Sequence, residues 1–149
     1  MGWLCGKGED MLIKEVFAGF LKEQKGNVSL KTYKEYETVI GFFGDCLDGY
    51  AWNTLDDDKA YEEAQLKKLA FMDIYDHTYI WDNVGEFLDY FIPRKVNWGD
   101  TFVLKTCPRV VRGLLKWMRE RKLLDKTDEE IIGACENQTW DDSLEEMGF

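Results

Sequence analysis

The side chains best spaced for recognition chemistry in this sequence are Arg109, Arg112, Lys116 and Arg119. Intervals of three and four residues set them along one side of an α-helix. Cations in that pattern can track phosphate oxygens, giving salt-dependent and largely sequence-blind binding to nucleic acid. The same pattern also suits the solvated face of a packed helix. Nothing comparable is spelled for catalysis. No Ser or Cys nucleophile stands beside a plausible base in a recognisable motif, and neither G-x-x-x-x-G-K nor G-x-G-x-x-G occurs. His77 is a lone histidine among aromatic residues, for which a structural role is expected. The four cysteines, Cys5, Cys46, Cys107 and Cys135, are widely separated and form no C-x-x-C pair, so reduced, mostly buried thiols are expected rather than a zinc site. Asp56, Asp57 and Asp58 lack the spacing of a calcium loop and read instead as acids at the positive end of a helix. The expectation is a protein without metal, without cofactor and without enzymatic activity.

The element that must position the four cations runs from Thr106 to Leu124. Wound at about 100° per residue, it gathers Val110, Val111, Leu114, Leu115, Trp117 and Met118 on one apolar face, opposite the basic stripe. Thr106 is placed to cap it, and Pro108 falls in the first turn, where a missing N–H costs nothing. The helix should therefore have a core face and a cationic face.

The rest of the chain reads as helices to pack against that face. Leu12, Val16, Phe17, Phe20 and Leu21 recur at helical spacing between about Glu9 and Lys25, with Gly26 and Asn27 as the stop. Ser29 is a good cap for a second helix carrying Tyr33, Tyr36, Val39, Ile40, Phe43 and Leu47. Gly41, Gly44 and Gly49 weaken that helix and suggest close approach by a neighbour. A third helix is expected from about Leu55 to Met72, capped by Asn53 or Thr54. Residues 73–81 read as a helical turn or short irregular segment, followed by a helix from Asn83 to Phe91 that ends before Pro93. Asp100 should cap a short helix to about Lys105. Thr127 and Glu130 spell a capping box that opens a helix through Cys135, and Thr139 begins one last acidic turn. No alternating strand pattern runs longer than three or four residues, so the fold class is all-α, a single compact bundle of seven or eight helices over residues 1–149.

Bulk properties agree with a folded single domain. Of the 149 residues 45% are hydrophobic and 15% aromatic, more aromatic surface than a core of this size usually needs. Tyr75, Tyr79, Trp81, Tyr90 and Trp98 are the rings expected to line a partly exposed groove. Net charge is −10 but unevenly placed. Residues 94–126 hold ten Lys/Arg against three acids, and residues 127–149 hold eight acids and no base. That adjacency suggests that the acidic segment folds back onto the basic stripe and occupies it in place of nucleic acid. No charged-then-apolar leader is present and no apolar run approaches the ~18 residues of a membrane span, so a cytoplasmic location without membrane contact is expected. At the lipidation-like start MGWLCGKG, Gly6 stands where a Ser or Thr is needed.

Two blocks together resemble a known family. VSLKTYKEYETVIGFFGDCL is similar to the opening of the SAM-like (sterile-alpha-motif-like) core-binding domain of tyrosine recombinases and phage integrases. Ser29, Thr32, Tyr36, Ile40, Phe43 and Leu47 stand at that family's patterned positions. EFLDYFIPRKVNWGDTFVLKTCPRVVRGLLKWMRERKLL resembles the family's second half, with its basic helix. The resemblance covers residues 10–48 and 84–126 and implies a SAM-like core with residues 49–83 as a helical insertion and residues 127–149 as an acidic C-terminal segment. It implies DNA clamping through basic helices, with Ser29, Lys31, Thr32, Arg109, Arg112, Lys116 and Arg119 as phosphate contacts. The family's catalytic residues belong to a separate domain without counterpart in these blocks, so no recombinase chemistry is implied.

Taken together, the sequence points first to a non-catalytic helical module whose partner is another protein. Binding to DNA through the basic helix is the alternative.

Overall fold

Amphipathic segments with no β-alternation can bury their apolar stripes only against one another, and in the computed structural model they do so. The structure describes residues 11–55, 57–96 and 99–136. Among these residues eight α-helices follow in order: α1 (Ile13–Lys25), α2 (Leu30–Tyr50), α3 (Asp58–Lys67), α4 (Phe71–Ile74), α5 (Thr78–Asp82), α6 (Ile92–Lys95), α7 (Cys107–Glu120) and α8 (Asp128–Cys135). Among the described residues there is no strand, and one isolated bridge joins Leu12 to Asp76. The fold is all-α.

The core is one cluster. Its centre is the apolar face of α7, where Val110, Val111, Leu114, Leu115, Trp117 and Met118 are all buried as their spacing requires. Against it lie Ile13, Val16, Phe17 and Phe20 of α1 and Val39, Ile40, Phe43 and Leu47 of α2. Phe43 stacks on Phe87 with centroids 4.5 Å apart and planes 4° from parallel. Phe20 lies flat on Tyr36 and edge-on to Trp117. Each fully buried apolar side chain contributes roughly 1.5–3 kcal/mol, several times an exposed ion pair, so this cluster decides the fold. Residues 49–83 are joined to the same core, since Trp52, Phe71 and Ile80 are buried in it.

Helix starts and stops follow the local chemistry, with instructive exceptions. Ser29 Oγ accepts from Thr32 N at 3.2 Å, capping α2. Thr127 Oγ1 accepts from Glu130 N and Glu130 Oε1 from Thr127 N, so the capping box of α8 forms in full. The segment expected as one helix over 55–72 is instead α3 and α4. Asp57 is the cap, its carboxylate accepting from Ala60 N, and Lys68 ends α3 in a left-handed conformation (φ 59°). Residues 73–81 resolve into the end of α4, a bend and α5. There His77 N donates to Met11 O at 2.9 Å and Ile13 N to Tyr75 O at 3.0 Å, fastening the start of the described chain to the middle. His77 is buried in that join.

The two prolines share a feature the sequence does not announce. The helix containing Glu86–Phe91 does not end before Pro93, and the one expected to start at Thr106 begins earlier. Residues 86–91 and 102–106 are wound as π turns, and each passes directly into an α-helical segment carrying its proline near the start. Ile92 N bonds back five residues to Phe87 O, and Cys107 N to Phe102 O. A proline inside a helix lacks its own donor and collides with the carbonyl four residues back, and the wider π turn relieves that collision. Thr106 is thus a buried helical residue with no side-chain cap bond. Asp100 does not cap either: Gly99, at φ 95°, offers its carbonyl to Val103 N one residue earlier.

Candidate functional site

The basic stripe stands on the outer face of α7, but most of its guanidiniums already have partners within the chain. Arg109 Nη2 donates to Glu35 Oε1 of α2 at 2.7 Å, and Arg119 donates to Asp128 in the first turn of α8. Arg121, just past the end of α7, donates to Glu23 of α1 at 2.7 Å and lies over the Trp117 ring, 4.0 Å from its centroid. One arginine therefore ties α7 to each of α2, α8 and α1. Arg112 and Lys116 make no ion pair among the described residues. Arg112 lines a cavity of about 360 Å³ with Lys105, Arg109, Cys135 and Glu136. Of the other phosphate-contact candidates, Ser29 and Thr32 are joined to each other across the first turn of α2, with exposed Lys31 between them. The Arg109–Glu35 pair brings this turn of α2 toward the start of α7.

The expected aromatic residues sit in three surroundings. Tyr75 stacks on Phe71 with centroids 4.4 Å apart, meets Trp52 edge-on, and is in turn met edge-on by Tyr79. Burial pushes the Tyr75 hydroxyl above its ordinary pKa. Trp81 is covered by Lys126, whose Nζ lies 5.0 Å from the ring centroid. Tyr90 and Tyr50 meet edge-on, and the Arg94 guanidinium lies over the Tyr90 ring, 4.3 Å from its centroid. These cations satisfy ring faces within the chain. Trp98 lies outside the described residues, as do Cys5 and the turn expected at Thr139.

Two grooves that the sequence did not single out flank α4. This four-residue helix is held by Phe71, whose ring is fully buried and whose N–H donates to Asp48 of α2 at 3.1 Å. Asp73 accepts from Ala70 N at 2.9 Å. On one side, α3 and α4 enclose a cavity of about 220 Å³ lined by Ala60, Ala64, Leu69, Ile74 and Tyr75. Leu69 and Ile74 are exposed there, and Tyr61 and Leu66 are exposed on α3, Leu66 at 85%. On the other side, α1, α2 and α4 enclose about 330 Å³. A signal for the first existed in the apolar pair Leu66 and Leu69 beside Lys67 and Lys68. The long third helix expected over 55–72 contains both residues.

Among the described residues no three His, Cys, Asp or Glu side chains are grouped to hold a metal ion. Cys46, Cys107 and Cys135 are free and buried, and burial pushes each thiol up to about 12, far from the thiolate a nucleophile needs. No helix among the described residues is long and apolar enough to cross a membrane. No family model, curated protein or solved structure matches the chain.

Proposed function

We propose that the chain is a non-catalytic helical module that binds another protein through its α3–α4 face. One observation carries this reading: the exposed Leu69 and Ile74 border a single cavity together with Ala60, Ala64 and Tyr75. Scattered exposed leucines need no explanation, whereas apolar side chains gathered around a concavity suit an apolar anchor from a partner. Glu63 and Lys67, paired at 2.7 Å on the rim, would supply the polar border of such an interface.

The test is selection of peptides from a displayed library on the intact protein, followed by a Leu69→Asp/Ile74→Asp variant. Selected peptides should lose at least about tenfold in affinity for the variant while its urea midpoint stays unchanged. Equal affinity for both proteins would reject the α3–α4 face.

A second reading, binding to DNA, is supported by Arg112 and Lys116, which no described carboxylate pairs, and by the resemblance to integrase core-binding domains. Titration with a short duplex at low salt and at about 0.2 M salt tests it, because phosphate-dominated binding falls steeply across that range. No binding even at low salt rejects it.

A further inference from the structure

Resting on the protein-binding reading, we infer that the groove between α1, α2 and α4 receives an amphipathic helix of another protein, with Lys or Arg beside its apolar residues. The groove's floor is apolar: Phe17 of α1 and Ile40 of α2 are buried at its base, and Leu21 and Met72 flank them, half-buried. Its border is acidic. Glu37, Asp45 and Asp48 line it, and no basic residue does. Glu37 and Asp45 make no ion pair among the described residues. Asp48 is fixed in place, accepting from Phe71 N at 3.1 Å and from Trp52 Nε1 at 3.4 Å. A floor that takes apolar side chains inside a border that takes cations matches one face of a basic amphipathic helix, and it repels phosphate.

Gly41 gives the groove its depth. It lies between Glu37 and Asp45 on one face of α2, and a Cβ built there would meet nothing within 4 Å. Glycine inside a helix costs about 0.5–1 kcal/mol relative to alanine; Gly49, Gly85 and Gly133 leave the same open space, and Gly41 differs from them in lining the groove. At Gly44 the space is taken within the chain, since its Cβ would stand 3.3 Å from Met72 Sδ. At Gly41 it is not. The close backbone approach it permits is available to a visiting helix.

The experiment uses two labelled synthetic helices of about 14 residues, one of Leu and Lys and one with Glu in place of every Lys, long enough for marginal helicity in isolation. Anisotropy titrations compare the intact protein with Gly41→Leu, Asp45→Asn and the Leu69→Asp/Ile74→Asp variant. The Leu/Lys peptide should bind the intact protein and the Leu69→Asp/Ile74→Asp variant alike. Its affinity should fall at least about tenfold for Gly41→Leu and less for Asp45→Asn, with the Leu/Glu peptide bound weakly throughout. The urea midpoint of Gly41→Leu should equal or exceed that of the parent, which separates a blocked groove from a damaged fold. Leu/Lys binding that Gly41→Leu leaves unchanged overturns the inference. So does equal binding of both peptides, or a concentration-dependent dimer abolished by Gly41→Leu, which would assign the groove to a second copy. Loss only in the Leu69→Asp/Ile74→Asp variant overturns this groove and leaves the α3–α4 reading standing. Loss in neither variant counts against both.

Discussion

The guanidinium of Arg119 donates to the carboxylate of Asp128, so the last turn of the basic helix is fastened to the first turn of the acidic helix after it. With Arg109–Glu35 and Arg121–Glu23 it makes a set of three links from one helical segment to three neighbours. All three are partly exposed, and such pairs contribute about 0–1 kcal/mol each. Their larger effect is on what the surface offers a partner, because a guanidinium held by a carboxylate presents less charge to a phosphate.

A Glu23→Gln/Glu35→Gln/Asp128→Asn variant should therefore keep most of its stability while gaining affinity for a short duplex at low salt. The gain should vanish at about 0.2 M salt, as phosphate contacts require. If duplex affinity at low salt does not rise, the in-chain pairs are not what limits the basic face.

Glycine substitutions separate close packing from open space inside the core. A Cβ on Gly19 would stand 3.0 Å from Cη2 and 3.2 Å from Cζ2 of Trp117, a buried ring with little freedom to move. On Gly113 it would meet Phe20 Cζ at 3.7 Å, an ordinary contact. Gly19→Ala should thus lose about 1–3 kcal/mol through overpacking, whereas Gly113→Ala should gain up to about 1 kcal/mol from helix propensity. Urea unfolding of the two variants reads the difference, and equal effects would refute the tight contact.

The thiols give a pH prediction. Cys46, Cys107 and Cys135 are raised by burial from 9.0 to about 12. An acid whose folded pKa is raised keeps its proton in the native state while the unfolded chain loses it, so stability is full below about pH 9 and declines as pH rises toward 12. In a Cys5→Ser background, a thiol reagent at about pH 8 should label none of the three until urea unfolds the protein. Rapid labelling of the native protein would contradict their burial.

How much of this was legible depends on where the chain puts its signals. The apolar face of α7 and the caps at Ser29 and Thr127 were readable because spacing and local hydrogen bonding fix them without help from distant residues. The helix boundaries near Pro93 and Thr106 differ from the local pattern because a π turn is a tertiary compromise: Phe87 stacks on Phe43 and Phe102 meets Phe42 edge-on, contacts no local pattern announces. The in-chain partners of Arg109 and Arg121 were invisible for the same reason, being 74 and 98 residues away. The groove between α1, α2 and α4 was not legible, since it needs residues from helices far apart in sequence, and the α3–α4 groove was hidden because its lining, all within residues 60–75, reads as one continuous helix.

Lys68 shows the other way a boundary can hide, and it yields the last prediction. Helices commonly stop at a glycine in the left-handed region, but α3 stops at Lys68 with φ 59°, and the chain turns at Lys122 with φ 62° two residues past the end of α7. Both ends carry the hydrogen bond of a Schellman motif: Leu69 N reaches back to Ala64 O at 2.9 Å, and Leu123 N to Met118 O at 2.9 Å. The geometry asks for glycine and the sequence supplies lysine, whose Cβ crowds the following carbonyl at a cost of about 1–2 kcal/mol. Glycine removes that crowding but loses more freedom on folding, so Lys68→Gly and Lys122→Gly should each stabilise the protein by only about 0.5–1 kcal/mol. Lys68→Ala and Lys122→Ala keep the Cβ and should give no such gain. Urea midpoints that rise equally for alanine and glycine would show that the lysine charge, not the left-handed backbone, is what these two turns pay for.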